Sequence, residues 1–129
     1  MGSIAARSRR ALGAYGEELA AQRLVSAGME ILARNWRCSA GEVDVVALDG
    51  KTLVIVEVKT RRSTRFGSPI EAVNAEKLAR LRRLASAWFA EHPSGRGARR
   101  FIRSVRIDVV AIWMNDSGPA RIEHLVGVS

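Results

Sequence analysis

Apolar residues follow two different rhythms along this chain. From residue 41 to 59 they run almost continuously: Gly41-Glu42-Val43-Asp44-Val45-Val46-Ala47-Leu48, then Lys51-Thr52-Leu53-Val54-Ile55-Val56-Glu57-Val58-Lys59. Short runs this rich in β-branched residues predict strands, and Asp49-Gly50 between them suits a two-residue type I′ hairpin turn. Elsewhere the period is helical. Residues 11–28 carry helix formers, gather Leu12, Leu19, Ala20, Leu24 and Ala27 on one side, and stop at Gly28. Met29 to Arg37 follows as a strand. Thr60 to Gly67 is polar and basic, without period, and predicts a loop. A second helix begins either at Ser68-Pro69-Ile70-Glu71, which has cap, proline and capping-box glutamate in order, or nearer Asn74. Its stripe is Leu78, Leu81, Ala85, Trp88 and Phe89, and His92-Pro93 ends it. Pro93 to Arg100 reads as a flexible basic loop. Strands over Phe101–Trp113 and Ala120–Val128 flank an Asn115-Asp116-Ser117-Gly118 turn. The order helix, three strands, helix, two strands predicts one mixed α/β domain over residues 1–129, with residues 1–10 expected to be flexible.

The acids on the central hairpin are what this pattern does not explain. If Leu48 pairs with Lys51, Glu42 lies opposite Glu57, and Glu42, Asp44, Glu57 and Lys59 share a face. Asp44 and Glu57 are then diagonal neighbours, with alpha carbons about 7–8 Å apart. A three-residue loop would put them on opposite faces. Carboxylates so close repel unless a cation lies between them. A hard divalent ion such as magnesium, with oxygen ligands at about 2.0–2.1 Å, is the natural bridge. A structural Glu57–Lys59 ion pair is the alternative, since ion-pair networks also collect acids. On the first helix, Glu17 borders the apolar stripe and Glu18 points away, so Glu17 is the one able to face the sheet. Taken alone, both suit a solvated first turn favoured by the helix dipole.

Composition narrows the class. The single cysteine, Cys38, excludes an internal disulfide and suits a reducing cytoplasm. No apolar run is long enough to span a membrane, and no Cys/His cluster suggests zinc. The net charge is +8, and 18 of the 21 basic residues are arginine. Residues 59–106 hold 13 of the 21, against only Glu71, Glu76 and Glu91, so that stretch is +10 and the rest of the chain −2. Arginine-rich charge beside an acidic cluster is the footprint of a nucleic-acid binder. Asp108 alternates onto one face with Arg106, and an ion pair between them is expected. Lys77 either touches phosphate or covers its helix with its stem.

Gly16-Glu17 on a first helix, Gly41-Glu42-Val43-Asp44, and Glu57-Val58-Lys59-Thr60-Arg61 resemble the YraN-like family of small bacterial proteins. Asn35, Phe66-Gly67, Ala72-Val73, Lys77 and Asp108-Val109-Val110 extend the resemblance from about Gly13 to Ile112. That family is similar to archaeal Holliday junction resolvases and to the PD-(D/E)xK nuclease superfamily. Arg106-Ile107-Asp108 departs from a more usual Arg-Phe-Asp, and no proline precedes Asp44. The resemblance implies a restriction-endonuclease-like mixed sheet flanked by helices. It also implies a catalytic set of Glu17, Asp44, Glu57 and Lys59. Asp44, Glu57 and the Val58 carbonyl would bind Mg2+ or Mn2+, with Lys59 orienting or deprotonating water. Glu17 would hold a second ion or its water, and Glu42 would support the ligands. Arg61, Arg62, Arg65 and Lys77 would contact nucleic acid, expected to be DNA. The competing expectations are a non-catalytic nucleic-acid-binding module and an interaction subunit of a repair or recombination assembly. Junction cleavage would need a homodimer, and no apolar patch in the sequence requires one.

Overall fold

The computed structural model describes residues 4–62 and 73–128. Helix α1 (Ile4–Ser26) leads into strands β1 (Glu30–Cys38), β2 (Gly41–Asp49) and β3 (Thr52–Arg61). Helix α2 (Ala75–Glu91), a 3-10 turn at Arg99–Phe101, and strands β4 (Ser104–Trp113) and β5 (Arg121–Leu125) complete the chain. The sheet order is β1-β2-β3-β4-β5. The first three strands form an antiparallel meander, β4 runs parallel to β3, and β5 returns antiparallel. A parallel neighbour needs a long crossover, which α2 supplies. This is a mixed α/β fold of the restriction-endonuclease-like class, a five-stranded sheet with a helix on each face.

The near-continuous apolar run of β3 is explained by burial on both faces. Val54 and Val56 pack with Ala20 and Leu24 of α1, while Leu53 and Ile55 pack with Leu81, Leu84, Ala85 and Trp88 of α2. Each of the valines, leucines and Ile55 contributes about 1.5–3 kcal/mol on full burial. α1 ends as expected: Gly28 has φ +92°, its N–H donates to Val25 O, and the Met29 N–H reaches back to Leu24 O. Met29 then joins Leu24 in the core, closing a Schellman cap.

Several boundaries differ from expectation. α1 begins at Ile4 rather than residue 11. Thr60 and Arg61 continue β3, paired with Ile112 and Trp113, instead of opening the basic loop. α2 starts after Asn74, whose side chain accepts the Lys77 N–H at 2.9 Å. The alternative start at Ser68–Glu71 lies outside the described residues. The segment 93–100, expected to be flexible, is anchored: Ala98 is fully buried, and Gly97 O accepts the Trp88 indole N–H at 3.1 Å. Among the described residues no helix is long and apolar enough to cross a membrane.

The hairpin register is the main correction. Asp49 pairs with Thr52 and Leu48 with Leu53, so Gly50 and Lys51 form the turn, not Asp49-Gly50. Gly50 has φ +62°, and Lys51 is not in the left-handed region. That pattern belongs to a type II′ turn, with glycine at the first central position. The pairing slides by two residues, an even number, so each side chain of β3 keeps its expected face. Its consequence is that the ladder ends at the Val45–Val56 pair, with Asp44 and Glu57 the next residues beyond it.

Candidate functional site

The site forms where β2 and β3 stop pairing. Along β2 the alternation breaks. Val46 and Val43 pack on the α2 side, three positions apart, while Val45 and Ala47 pack on the α1 side. Asp44 sits at the break. On β1, Arg34 pairs with Val45 and Trp36 with Val43, which leaves Asn35 opposite Asp44. Asn35 has φ +51°, and among the described non-glycine residues it alone is in the left-handed region. Asparagine tolerates that conformation better than most side chains. The paired irregularities let Asp44 leave the plain alternation.

Asp44 turns along the sheet and accepts the Val58 N–H at 2.8 Å. An extended residue points its N–H and C=O to the same side, so the Val58 carbonyl faces this gap as well. Burial pushes the Asp44 carboxyl up to about 6, the Val58 hydrogen bond opposing and the charges of Glu57, Glu17 and Glu42 adding to it. These are the four acids singled out in the sequence, and they act on one another across three elements. A raised carboxyl among other carboxylates marks a candidate functional group.

Glu57 is buried, and both available ammonium groups reach it. Lys77 Nζ lies 2.9 Å and Lys59 Nζ 3.2 Å from the same oxygen, Oε1. Burial, then the neighbouring Lys77, holds the Lys59 amine below its ordinary range, against the pull of Glu57. Lys77 therefore stands at the acid cluster, which neither a phosphate contact nor a helix-covering stem anticipated.

Glu17 approaches through a close contact between α1 and β3. A Cβ on Gly16 would fall 1.9 Å from Thr60 Oγ1, so only glycine lets α1 sit this near the end of β3. Glu17 then lines a cleft with Val58, Lys59, Thr60 and Arg61, whereas Glu18 is exposed and paired with Arg34 at 2.8 Å. Glu42 is paired with Arg37 across the β1–β2 ladder. Arg61 and Arg62 are exposed at the end of β3. Arg65 lies outside the described residues. Part of the basic stretch is engaged internally: Arg96 with Glu30, Arg106 with Asp49 and Asp108, and Arg99 over the Phe89 ring.

The donors around the gap are hard oxygens: the carboxylates of Asp44, Glu57 and Glu17 and the Val58 carbonyl. This chemistry fits magnesium or manganese. Among the described residues no three acidic, His or Cys side chains are gathered so as to hold an ion outright. The Glu57 carboxylate is turned to two lysines.

The model of Uncharacterised protein family UPF0102 matches residues 16–112. The chain belongs to this family, the YraN-like proteins. It is 53% identical over 123 residues to a UPF0102 protein of Kineococcus radiotolerans, covering 95% of this chain and 97% of the relative. A UPF0102 protein of Beutenbergia cavernae is 56% identical over 122 residues, covering 95% and 98%. One of Arthrobacter sp. (strain FB24) is 55% identical, with the same coverage. The matched span of the UPF0102 model opens at Gly16 and includes Glu17, Asp44, Glu57, Lys59 and Lys77.

Asn35 and Thr60 take part in building the site, but the sequence did not reveal what they do. Asparagine inside an otherwise strand-like run was the available signal for the first. A glycine inside a helix, Gly16, was the signal for the second.

Proposed function

We propose that this UPF0102 chain is a metal-dependent phosphodiesterase of the PD-(D/E)xK type, acting on DNA in the cytoplasm and related to archaeal Holliday junction resolvases. The observation that carries the reading is Asp44: a half-buried carboxylate, pushed up to about 6, at the end of a strand ladder and ringed by Glu57, Glu17 and Glu42. Such a set of acids around one raised carboxyl is what a cation site would need. Asp44, Glu57 and the Val58 carbonyl would hold magnesium or manganese, with Glu17 at the margin and Glu42 shaping the local field. When bound, the ion supplies Lewis-acid activation of phosphate and water.

The chain's own groups do the rest. Lys59, with its lowered amine, accepts or positions a proton of the attacking water and offsets charge growing on the phosphate. Arg61 and Arg62 at the end of β3, with Arg65 beyond them, grip the flanking phosphates without reading bases. A second reading, a nucleic-acid-binding module without catalysis, is favoured by one observation: Glu57 already has two ammonium partners.

Cleavage of branched, flapped, single-stranded and duplex DNA with Mg2+ or Mn2+ tests the proposal. Wild type is expected to cut at least one of these. Lys59→Ala should abolish cutting while leaving the fold and Mn2+ binding nearly intact. Activity that survives Lys59→Ala combined with Glu57→Ala would belong to another site and end the proposal. Metal binding without cutting on any substrate supports the binding-module reading.

A further inference from the structure

We propose that Lys77 occupies Glu57 in place of a divalent cation, so that the metal and the Lys77 ammonium compete for one carboxylate. The proposal rests on the metal-site reading above. Its basis is an excess of positive charge at Glu57. One carboxylate needs one counter-charge, yet Lys59 and Lys77 both contact Oε1, at 3.2 and 2.9 Å. Two ammonium groups converging on one oxygen repel each other.

The two lysines are not equivalent. Lys59 lies two residues beyond Glu57 on the same face of β3, so the strand itself sets its position. Lys77 comes from the first turn of α2, where Asn74 caps its N–H. A cation there opposes the helix dipole, which favours acids at that end. Yet the Lys77 side chain is only 19% exposed and bends inward to Glu57. Its position is therefore held by the acid rather than by the helix. It is also the partner that can leave. Outward from Glu57, Lys77 opens onto a groove lined by Asn74, Glu76, Arg80 and Arg83. A cation arriving between Asp44 and Glu57 meets Lys77 and displaces it. The released ammonium joins Arg80 and Arg83, where a phosphate is the complementary ligand. Lys77 thus links filling of the acid site to readiness of the basic groove.

Calorimetric titration with Mn2+ at fixed ionic strength tests the competition. Lys77→Met keeps the stem and removes the charge, and it should bind Mn2+ about tenfold more tightly than wild type. Arg82→Met removes one charge from the same helix, and its affinity should stay within about twofold. A second measurement uses the wild-type chain and so does not depend on Lys77→Met folding. The protein has three lysines, and Lys51 is exposed in the hairpin turn. Amine labelling read by mass spectrometry should rise at Lys77 when Mn2+ is added and stay constant at Lys51. If wild type binds Mn2+ but Lys77→Met binds no tighter, or Lys77 labelling does not rise, the competition is overturned and the metal site stands. If neither protein binds Mn2+ at millimolar concentrations, both proposals fall.

Discussion

Two carboxylates in the same sheet, Asp108 and Asp44, meet opposite surroundings. Asp108 is fully buried on β4 and surrounded by donors. Arg106 forks onto both its oxygens at 2.9 and 3.1 Å, His124 Nε2 lies at 2.7 Å, and the Gly127 N–H donates at 2.9 Å. Burial alone would raise its carboxyl. The hydrogen bonds from His124, Arg106 and Gly127 outweigh that and hold it below the usual range. Asp44 receives one N–H among the described residues, so burial, with the charges of Glu57, Glu17 and Glu42 adding to it, raises its carboxyl to about 6. Burial is common to both. The identity of the neighbours decides whether a buried acid is held charged or pushed toward its neutral form. Asp108 ties β5 and the segment after it to the sheet, whereas the charged form of Asp44 is disfavoured where it sits.

The most severe way to break this comparison is at Asp108. Asp108→Ala leaves Arg106 with Asp49 alone, removes the partner of His124 and the acceptor of the Gly127 N–H, and should cost about 3 kcal/mol in urea unfolding at pH 7. If the loss is under about 1 kcal/mol, Asp108 is no anchor.

Asp44→Asn should act in the other direction. Asp44 has its carboxyl raised from 3.8 to about 6, so its favourable contribution to folding is full below the lower value and is lost as pH rises through the upper one. Linkage bounds that loss at about 3 kcal/mol. Asparagine can still accept the Val58 N–H, so the variant should match wild type near pH 4 and exceed it by up to about 3 kcal/mol at pH 8, without metal. The lowered carboxyl of Asp108 has the opposite sign: its contribution is full above the ordinary carboxylate range and fades as pH falls below it. Unfolding followed from pH 3 to 8 should therefore show two windows, and Asp44→Asn should erase only the one between about 4 and 6. Equal pH dependence of the variant and wild type would refute the raised carboxyl.

A smaller effect sharpens how Asp44 is placed. Asn35→Val puts a β-branched residue in the left-handed region opposite Asp44 and should cost about 1–2 kcal/mol. Asn35→Gly should stay within about 0.5 kcal/mol. If Asn35 also sets the β2 break, Asn35→Val should shrink the pH window of Asp44, and Asn35→Gly should not. An unchanged window in both would leave Asn35 a local strain and nothing more.

Much of this fold was legible because local rhythm carries it. The two-residue period of β2 and β3, the stripe of α2 and the Gly28 cap each follow from short-range sterics and from burying one face. Those rules reach from a residue to its neighbours along the chain. They also yielded the face shared by Glu57 and Lys59, since alternation survives any even slide of register. Alternation could not choose among even slides. That choice belonged to the type II′ turn at Gly50-Lys51 and to packing on both faces, and it left Asp44 and Glu57 as the first residues beyond the ladder. The Arg106–Asp108 pair was visible because the two residues lie two apart on one strand. His124 and Gly127, 16 and 19 residues away, entered only through the β4–β5 pairing and the turn after it. The charge and stem of Lys77 are written in the sequence, and they suit a phosphate contact or a cover for its helix. That Lys77 reaches Glu57, 20 residues earlier, depends on where the crossover sets α2 against the sheet. The sequence by itself determined the elements, their faces and the kinds of charge available. Tertiary structure decided which charges meet, because a charge interacts with whatever lies within a few ångströms, and chain separation says nothing about that distance.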